Sequence, residues 1–327
     1  MSRKLKRVAI IVAAFLLIVG SLPFMGLTAK ADTTATGKYG NDKMVLGVLK
    51  NTASIPAIMG DASGDFNKNN ASVEVKIYNS NNELNTAIKN GEVNGAVTDL
   101  VSYASLVNTK ANKNWKMVGS LPGYSGLVAN KKYKSVKSLK GKTVAIDKKD
   151  ASKQYLVNIL KKNKIKYSTG IKVKQIDSEN DRVAALKNNE VDAAVLNDPA
   201  ISNAKGNGAK ILNRQKTSVA HSNIFIVNNS FAKKNASSMG IIVYVMNKGI
   251  KTLNYSTTYG AAGNALRKMD YNDKGAKYLT DMEIDFPKIH KVKKSEFNSA
   301  FKYAKSHKLY KGKVNYKVHT LKVKGVK

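Results

Sequence analysis

A segment near the start of the chain is written a second time further on, and this constrains the fold more than any other feature. "KNTAS" at 50–54 returns as "KKDAS" at 148–152, 98 residues later. Each follows a short apolar run, "MVLGVL" (44–49) and "TVAID" (143–147). At the same offset "VEVKIYNSNNELNTAIKNGEVNGAVTD" (73–99) lines up with "IKVKQIDSENDRVAALKNNEVDAAVLN" (171–197) without a gap. In both copies apolar, β-branched runs alternate with segments whose apolar positions recur at helical spacing. Leu84 and Ile88 are such positions in the first, Leu156, Ile159 and Leu160 in the second. Each copy predicts β-α-β-α-β, and strands alternating with helices predict a parallel sheet with right-handed crossovers. Two units of one design predict two α/β lobes.

In open parallel sheets, ligands sit beyond the carboxyl ends of the strands. Those ends carry Ser54, Thr98 and Asp99 in the first copy, and Asp147, Ser152, Asn197 and Asp198 in the second. Ser54 and Ser152 hold the same place in the repeat. Each reads either as a plain helix cap or as one of two helix N-termini facing a strong acceptor such as a carboxylate, sulphonate or phosphate. Between the copies, "MVGSLPG" and "GLVANKK" predict strands, the latter the first crossing between lobes. "TSVAHSNIFIVNN" (217–229) predicts the crossing back, and two adjacent crossings predict a hinge. Tyr124, Ser125, His221 and Ser222 fall where a ligand at the hinge touches the chain, although His221 equally reads as a structural histidine.

From Phe231 onward the spacing predicts helices that complete the first lobe, with Tyr244, Phe297, Phe301 and Tyr303 as a core stripe. The tail "KLYKGKVNYKVHTLKVKGVK" (308–327) is alternating and basic. It predicts an edge strand or a flexible terminus able to touch an anionic surface.

The ends and the composition bear on location. Arg3, Lys4, Lys6 and Arg7, then the apolar stretch Val8 to Leu22, then "AKA" (29–31), predict a secretory signal over 1–31 followed by a flexible 32–42; the alternative is an uncleaved anchor. The mature chain is expected to be soluble and extracytoplasmic. The chain has no cysteine, which excludes disulfides, a thiolate nucleophile, cysteine metal sites and a lipid anchor on an N-terminal cysteine. The net charge is +34, and removing the five basic residues of 1–31 leaves +29. Arginine occurs only at 3, 7, 182, 214 and 267, so the charge is nearly all lysine, spread along the chain. Such a surface attracts polyanions. Export and the lack of an arginine-rich patch speak against nucleic acid, leaving an anionic cell wall or membrane surface, or solubility alone. His221, His290, His307 and His319 have no metal-ligand spacing, and no GxSxG elbow or P-loop occurs. No enzyme, cofactor or metal is expected.

Three stretches carry a resemblance. "SVKSLKGKTVAID" (135–147), "GEVNGAVTDL" (91–100) and "NEVDAAVLNDPAIS" (189–202) resemble the type II periplasmic solute-binding proteins, in the branch for sulphonates, taurine, nitrate and thiamine-pyrimidine precursors. The resemblance spans about 43 to 310. It implies an α/β fold of two lobes, 43–127 plus 223–310 and 128–222, each a mixed sheet flanked by helices, with a ligand cleft between them and a basic tail over 311–327. It also implies a monomer that hands a small polar solute to an ABC permease. Cleft positions carry over to Ser54, Thr98, Asp99, Ala151, Ser152 and Asp198. No arginine is placed at a cleft position, which weighs against a sulphonate-like anion and for a neutral or cationic solute such as an aminopyrimidine. A cationic surface adhesin on the same fold is the alternative.

Overall fold

The computed structural model describes residues 41–215, 223–255, 260–271 and 286–326. The expected signal over 1–31, most of 32–42, and His221 lie outside the described residues. Ten strands run in chain order: β1 (Met44–Leu49), β2 (Val73–Tyr78), β3 (Gly95–Asp99), β4 (Trp115–Leu121), β5 (Ser125–Ala129), β6 (Thr143–Ile146), β7 (Lys172–Gln175), β8 (Ala193–Asn197), β9 (Lys210–Arg214) and β10 (Asn223–Asn228). They form two five-stranded sheets, in the orders β2-β1-β3-β10-β4 and β7-β6-β8-β5-β9.

The repeat in the sequence is a repeat in space. β1 lies parallel to β2 and β3, with β10 antiparallel beyond β3. β6 lies parallel to β7 and β8, with β5 antiparallel beyond β8. Equivalent residues pair in both sheets, as in Leu46↔Gly95 and Val144↔Ala193. All five residues of β3 are buried, as a central strand covered by helices on both faces requires: Gly95, Ala96 and Val97 are small and apolar, and the polar Thr98 and Asp99 fall at its carboxyl end. The covering helices used below are α1 (Ile55–Ala62), α2 (Asn81–Lys89), α3 (Leu100–Leu106), α4 (Ala151–Lys162), α5 (Glu179–Lys187), α6 (Ala200–Gly206), α7 (Ala236–Tyr255), α8 (Gly260–Lys268), α9 (Lys294–Ser306) and α10 (Tyr316–His319). Each sheet has a core on either side, with Val97 and Phe225 facing one and Ala96 and Ile224 the other in the first lobe. This is the two-lobed type II periplasmic-binding-protein fold.

Three expectations need correction. The first concerns the lobe boundary, expected after residue 127. Ser125–Ala129 pairs along its length with β8, from Ser125↔Asn197 to Ala129↔Ala193, so the chain crosses at Pro122–Tyr124. A Cβ on Gly123 would collide with the amide of Asn223, so only glycine lets the crossing pass that strand so closely.

The second concerns Tyr244, expected in the core, which is 58% exposed on α7, whereas Phe297 and Phe301 are fully buried.

The third concerns the tail, which is neither an edge strand nor a free terminus. His319 is buried with its ring against Tyr103, Phe297, Phe301 and Tyr310. Its Nδ1 lies 3.0 Å from Tyr103 Oη. Leu321 N–H donates to Met117 O at 2.9 Å. Leu321, Val323 and Val326 pack on the first lobe's core while Lys322 stays partly in solvent. The alternating pattern therefore docks one face of the tail. No helix among the described residues is long and apolar enough to cross a membrane.

Candidate functional site

A cavity of about 30 Å³ lies between the carboxyl ends of the two parallel strand sets, lined from both lobes. Five helix caps contribute to its wall. Asn51 caps the turn Thr52–Ser54, accepting from Ala53 N–H at 3.1 Å. Ser80 caps α2, accepting from Glu83 N–H at 3.2 Å, and Glu83 accepts from Asn79 N–H at 2.9 Å. Asp99 caps α3 with Oδ1, which accepts from Val101 N–H at 2.8 Å and Ser102 N–H at 2.9 Å. Asp150 caps α4, accepting from Ser152 N–H at 2.7 Å. Ser178 caps α5, accepting from Asp181 N–H at 3.3 Å. All five caps line the cavity. Helix N-termini attract anions through their free N–H groups and partial positive charge. Here the caps themselves take up that capacity.

Four carboxylates line the cavity, Asp99, Asp150, Asp177 and Glu179, against two cations, Lys50 and Arg182. Lys50 is paired with Asp270. Burial raises the Asp99 carboxyl above its ordinary range, with Asp147 adding repulsion. Burial pushes Asp150 up to about 8, outweighing the attraction of Arg182, while Asp147 and Asp99 push the same way. Arg182 corrects the expectation that no arginine reaches the cleft. It is 1% exposed and lines the cavity. Its donors go to protein carbonyls: Nε to Ile176 at 2.8 Å, Nη1 to Val195 at 2.9 Å and Nη2 to Asp177 at 2.9 Å. Nη2 stands 3.9 Å from Asp150 Oδ2. This guanidinium ties the middle of β8 to the β7–α5 loop.

Of the residues singled out from sequence, Asp99, Ser125, Ala151, Ser152 and Asn197 line the cavity. Ser54 does not; it is fully buried and its hydroxyl donates to Asn51 Oδ1 at 3.3 Å. Thr98 is also behind the wall, donating to Asn81 Oδ1 at 2.8 Å. Tyr124 belongs to the first lobe's core. Asp147 is turned to Lys149 N–H at 2.8 Å and Gln175 Nε2 at 3.0 Å. Asp198 is fully buried, accepting from Ser202 Oγ at 2.7 Å and paired with Arg214. His221 lies outside the described residues. Ser152 leaves the capping to Asp150, and its hydroxyl donates to Asp147 O at 2.9 Å. Sequence reasoning missed Asn51, Asn79, Ser80, Asn81, Asp150, Asp177, Ser178, Glu179, Asn180 and Arg182. A usable signal was present: "SNNE" at 80–83 has the serine–x–x–glutamate form of a capping box, which marks a helix start just after a strand end. No group of three or more possible metal ligands occurs among the described residues.

The sequence profile of the NMT1/THI5-like family matches residues 51–254. Among solved structures, the periplasmic aliphatic sulphonate binding protein SsuA from Escherichia coli superposes with a TM-score of 0.74 at 16% identity, covering 88% of this chain and 94% of its own. The alkanesulfonate-binding protein SsuA from Xanthomonas axonopodis pv. citri, bound to MOPS, gives 0.74 at 14% identity over 86% and 98%. The ligand binding component of an ABC-type import system from Staphylococcus aureus gives 0.72 at 15% over 86% and 97%. No curated protein matches by sequence. At these identities the likeness concerns the fold.

Proposed function

The chain belongs to the NMT1/THI5-like family, and from that premise we propose that it is an extracytoplasmic binding protein that captures a small polar solute between its lobes and delivers it to an ABC permease. The observation that carries this reading is the two-sided cavity, whose wall comes from matching positions of the repeat: Asn79 and Asp177, Ser80 and Ser178, Asn81 and Glu179, Asp99 and Asn197. A wall contributed by both lobes binds best when they close, so an occupant favours the closed arrangement. The reading is of a monomeric carrier without catalysis, in keeping with the binding proteins among its structural neighbours.

Of the two ligand types left open by the sequence, the lining favours an amine-bearing, aminopyrimidine-like solute over a sulphonate. The helix N-termini carry their own caps, Arg182 is committed to carbonyls, and carboxylates outnumber cations. An anion brought there competes with these caps for the helix N–H groups. Six asparagines (Asn51, Asn79, Asn81, Asn180, Asn197 and Asn223) line the cavity, with Asn81 and Asn197 engaged at both ends of their amides by the wall itself, and no aromatic ring lines it among the described residues. Such a solute is held by hydrogen bonds, not by stacking. Native mass spectrometry of the purified protein, followed by titration with taurine, an alkanesulphonate and an aminopyrimidine, tests this. A defined adduct that resists the sulphonates and yields to the amine supports it. An unshifted mass across the panel moves the weight to the adhesin reading.

The charge of +29 left after removal of 1–31, from +34 for the whole chain less five, supports retention by anionic wall polymers as an additional role. Exposed charge contacts are screened within about 8 Å at physiological ionic strength. High salt is expected to wash the protein from cells, and retention in strong salt would end that idea.

A further inference from the structure

The two quoted stretches differ where they should agree. The repeat aligns Thr52 with Asp150. Asp150 is the cap of its helix, but in the first lobe Asn51 has taken the capping task. Thr52 is left to point elsewhere, and it points across the cleft. Its N–H donates to Asp198 O at 2.8 Å and its Oγ1 to the same oxygen at 2.7 Å. The acceptor is held in place from behind, because the Asp198 carboxylate is occupied by Ser202 and Arg214. A third bond joins the lobes elsewhere. Tyr271, packed in the first lobe's core, donates from Oη to Asn180 Oδ1 on α5 of the second lobe, at 3.0 Å. Neither Thr52, Asp198 nor Tyr271 lines the cavity. Separation of the lobes breaks all three bonds.

We propose that Thr52 and Tyr271 are positioning residues for closure: they hold the lobes shut around the cavity without touching its occupant, and so set the fraction of molecules competent to retain a solute. The apparent affinity for any occupant scales with that fraction. Thr52, Asp198 and Tyr271 are each almost fully buried in the closed arrangement, so the bonds are shielded from water, where they hold best.

The absence of cysteine makes the test direct. Lys89→Cys and Lys187→Cys put single spin labels on exposed, equivalent positions of the two lobes, and double electron–electron resonance reads the distance between them without any added solute. In the parent the short-distance population is expected to dominate. Thr52→Val with Tyr271→Phe is expected to lower the closed-to-open ratio by about tenfold, from the loss of two side-chain hydrogen bonds. Thr52→Ser, which keeps the hydroxyl, is expected to stay closed. Tyr155→Phe, which removes a 2.6 Å bond to Asn213 within the second lobe, is expected to leave the distance unchanged. Circular dichroism confirms that each variant folds, and Tyr271→Phe alone serves if Thr52→Val does not. An unchanged distance in the folded variants, or a Thr52→Ser variant as open as Thr52→Val, overturns the proposal. Because no solute enters the measurement, the outcome is independent of what the cavity binds.

Discussion

Asn81 donates from Nδ2 to Asp99 Oδ2 at 3.1 Å, and 98 residues on the same two positions pair again as Glu179 and Asn197. In the second lobe the polarity is reversed: Asn197 donates its Nδ2 to Glu179 Oε1 and its N–H to Oε2, both at 2.7 Å. One pairing therefore braces both walls of the cavity, with the carboxylate on the strand in one lobe and on the helix in the other. Asp99 also caps α3, so it carries both duties. Asp99→Ala is expected to cost about 2 kcal/mol, through the lost cap and the stranded amide of Asn81. Asp99→Asn keeps a capping oxygen and is expected to cost less than half of that. Urea unfolding of the three proteins measures the difference.

Asp150 titrates in the opposite sense to an ordinary surface carboxylate. Its folded value, about 8, lies above the ordinary 3.8. The native state thus binds the proton more tightly than the unfolded chain. The resulting stabilisation is complete below 3.8 and is lost as pH rises through 8. Asp150→Asn retains an oxygen for Ser152 N–H and removes the titration. Its denaturant midpoint is expected to fall less than the parent's between pH 5 and pH 8.5. Equal falls would show that the group does not titrate as the burial requires.

Arg182 supports the cleft as a brace. Arg182→Lys keeps the charge but loses the planar fork that reaches three carbonyls, and is expected to destabilise the fold by about 3 kcal/mol. The check is thermal unfolding at neutral pH, where a loss under 1 kcal/mol would mean that the carbonyls find other donors.

The docked tail is acid-sensitive. Burial holds His319 down to about 4, with the charge of Lys116 acting the same way. Its ordinary value is 6.5, so the neutral ring is the one that fits among the aromatic side chains. This contribution is present above 6.5 and is lost as pH falls toward and through 4, on the order of 3 kcal/mol in full. Trp115, the only tryptophan, accepts from Tyr103 Oη at 2.9 Å and so sits beside the docking point. Its fluorescence is expected to change between pH 6.5 and 4, and His319→Phe is expected to remove that step.

The repeat made the fold legible because strand and helix periods are local properties. The strand ends were legible for the same reason, and they placed Asp99, Asn197 and Ser152 at the cavity wall. What stayed hidden depends on distant closure. Arg182 reads in "NDRVAAL" as a surface cation, and only the fold of the β7–α5 loop over it makes it a buried brace. Ser54 and Ser152 were read as caps because serine caps helices in general, but Asn51 and Asp150 stand just ahead of them and capture the N–H groups first. Thr52 carries no signal of its partner 146 residues away. The tail's alternation was visible, but the aromatic rings that receive His319 come from three separate segments.

The order of strands has a temporal consequence for a chain made from its N-terminus. β10 lies between β3 and β4, and it is encoded after every strand of the second sheet. Once Arg214 has emerged, the second lobe possesses all five of its strands, and Gln215 N–H can bond Ser125 O at 2.9 Å to join its two ends. At that moment the first sheet still lacks β10, the strand that joins β3 to β4, and β3 presents an unpaired edge of the kind that recruits foreign strands. The lobe encoded in the middle of the chain is thus the first able to finish folding, and the nascent first lobe needs protection until Asn228 arrives.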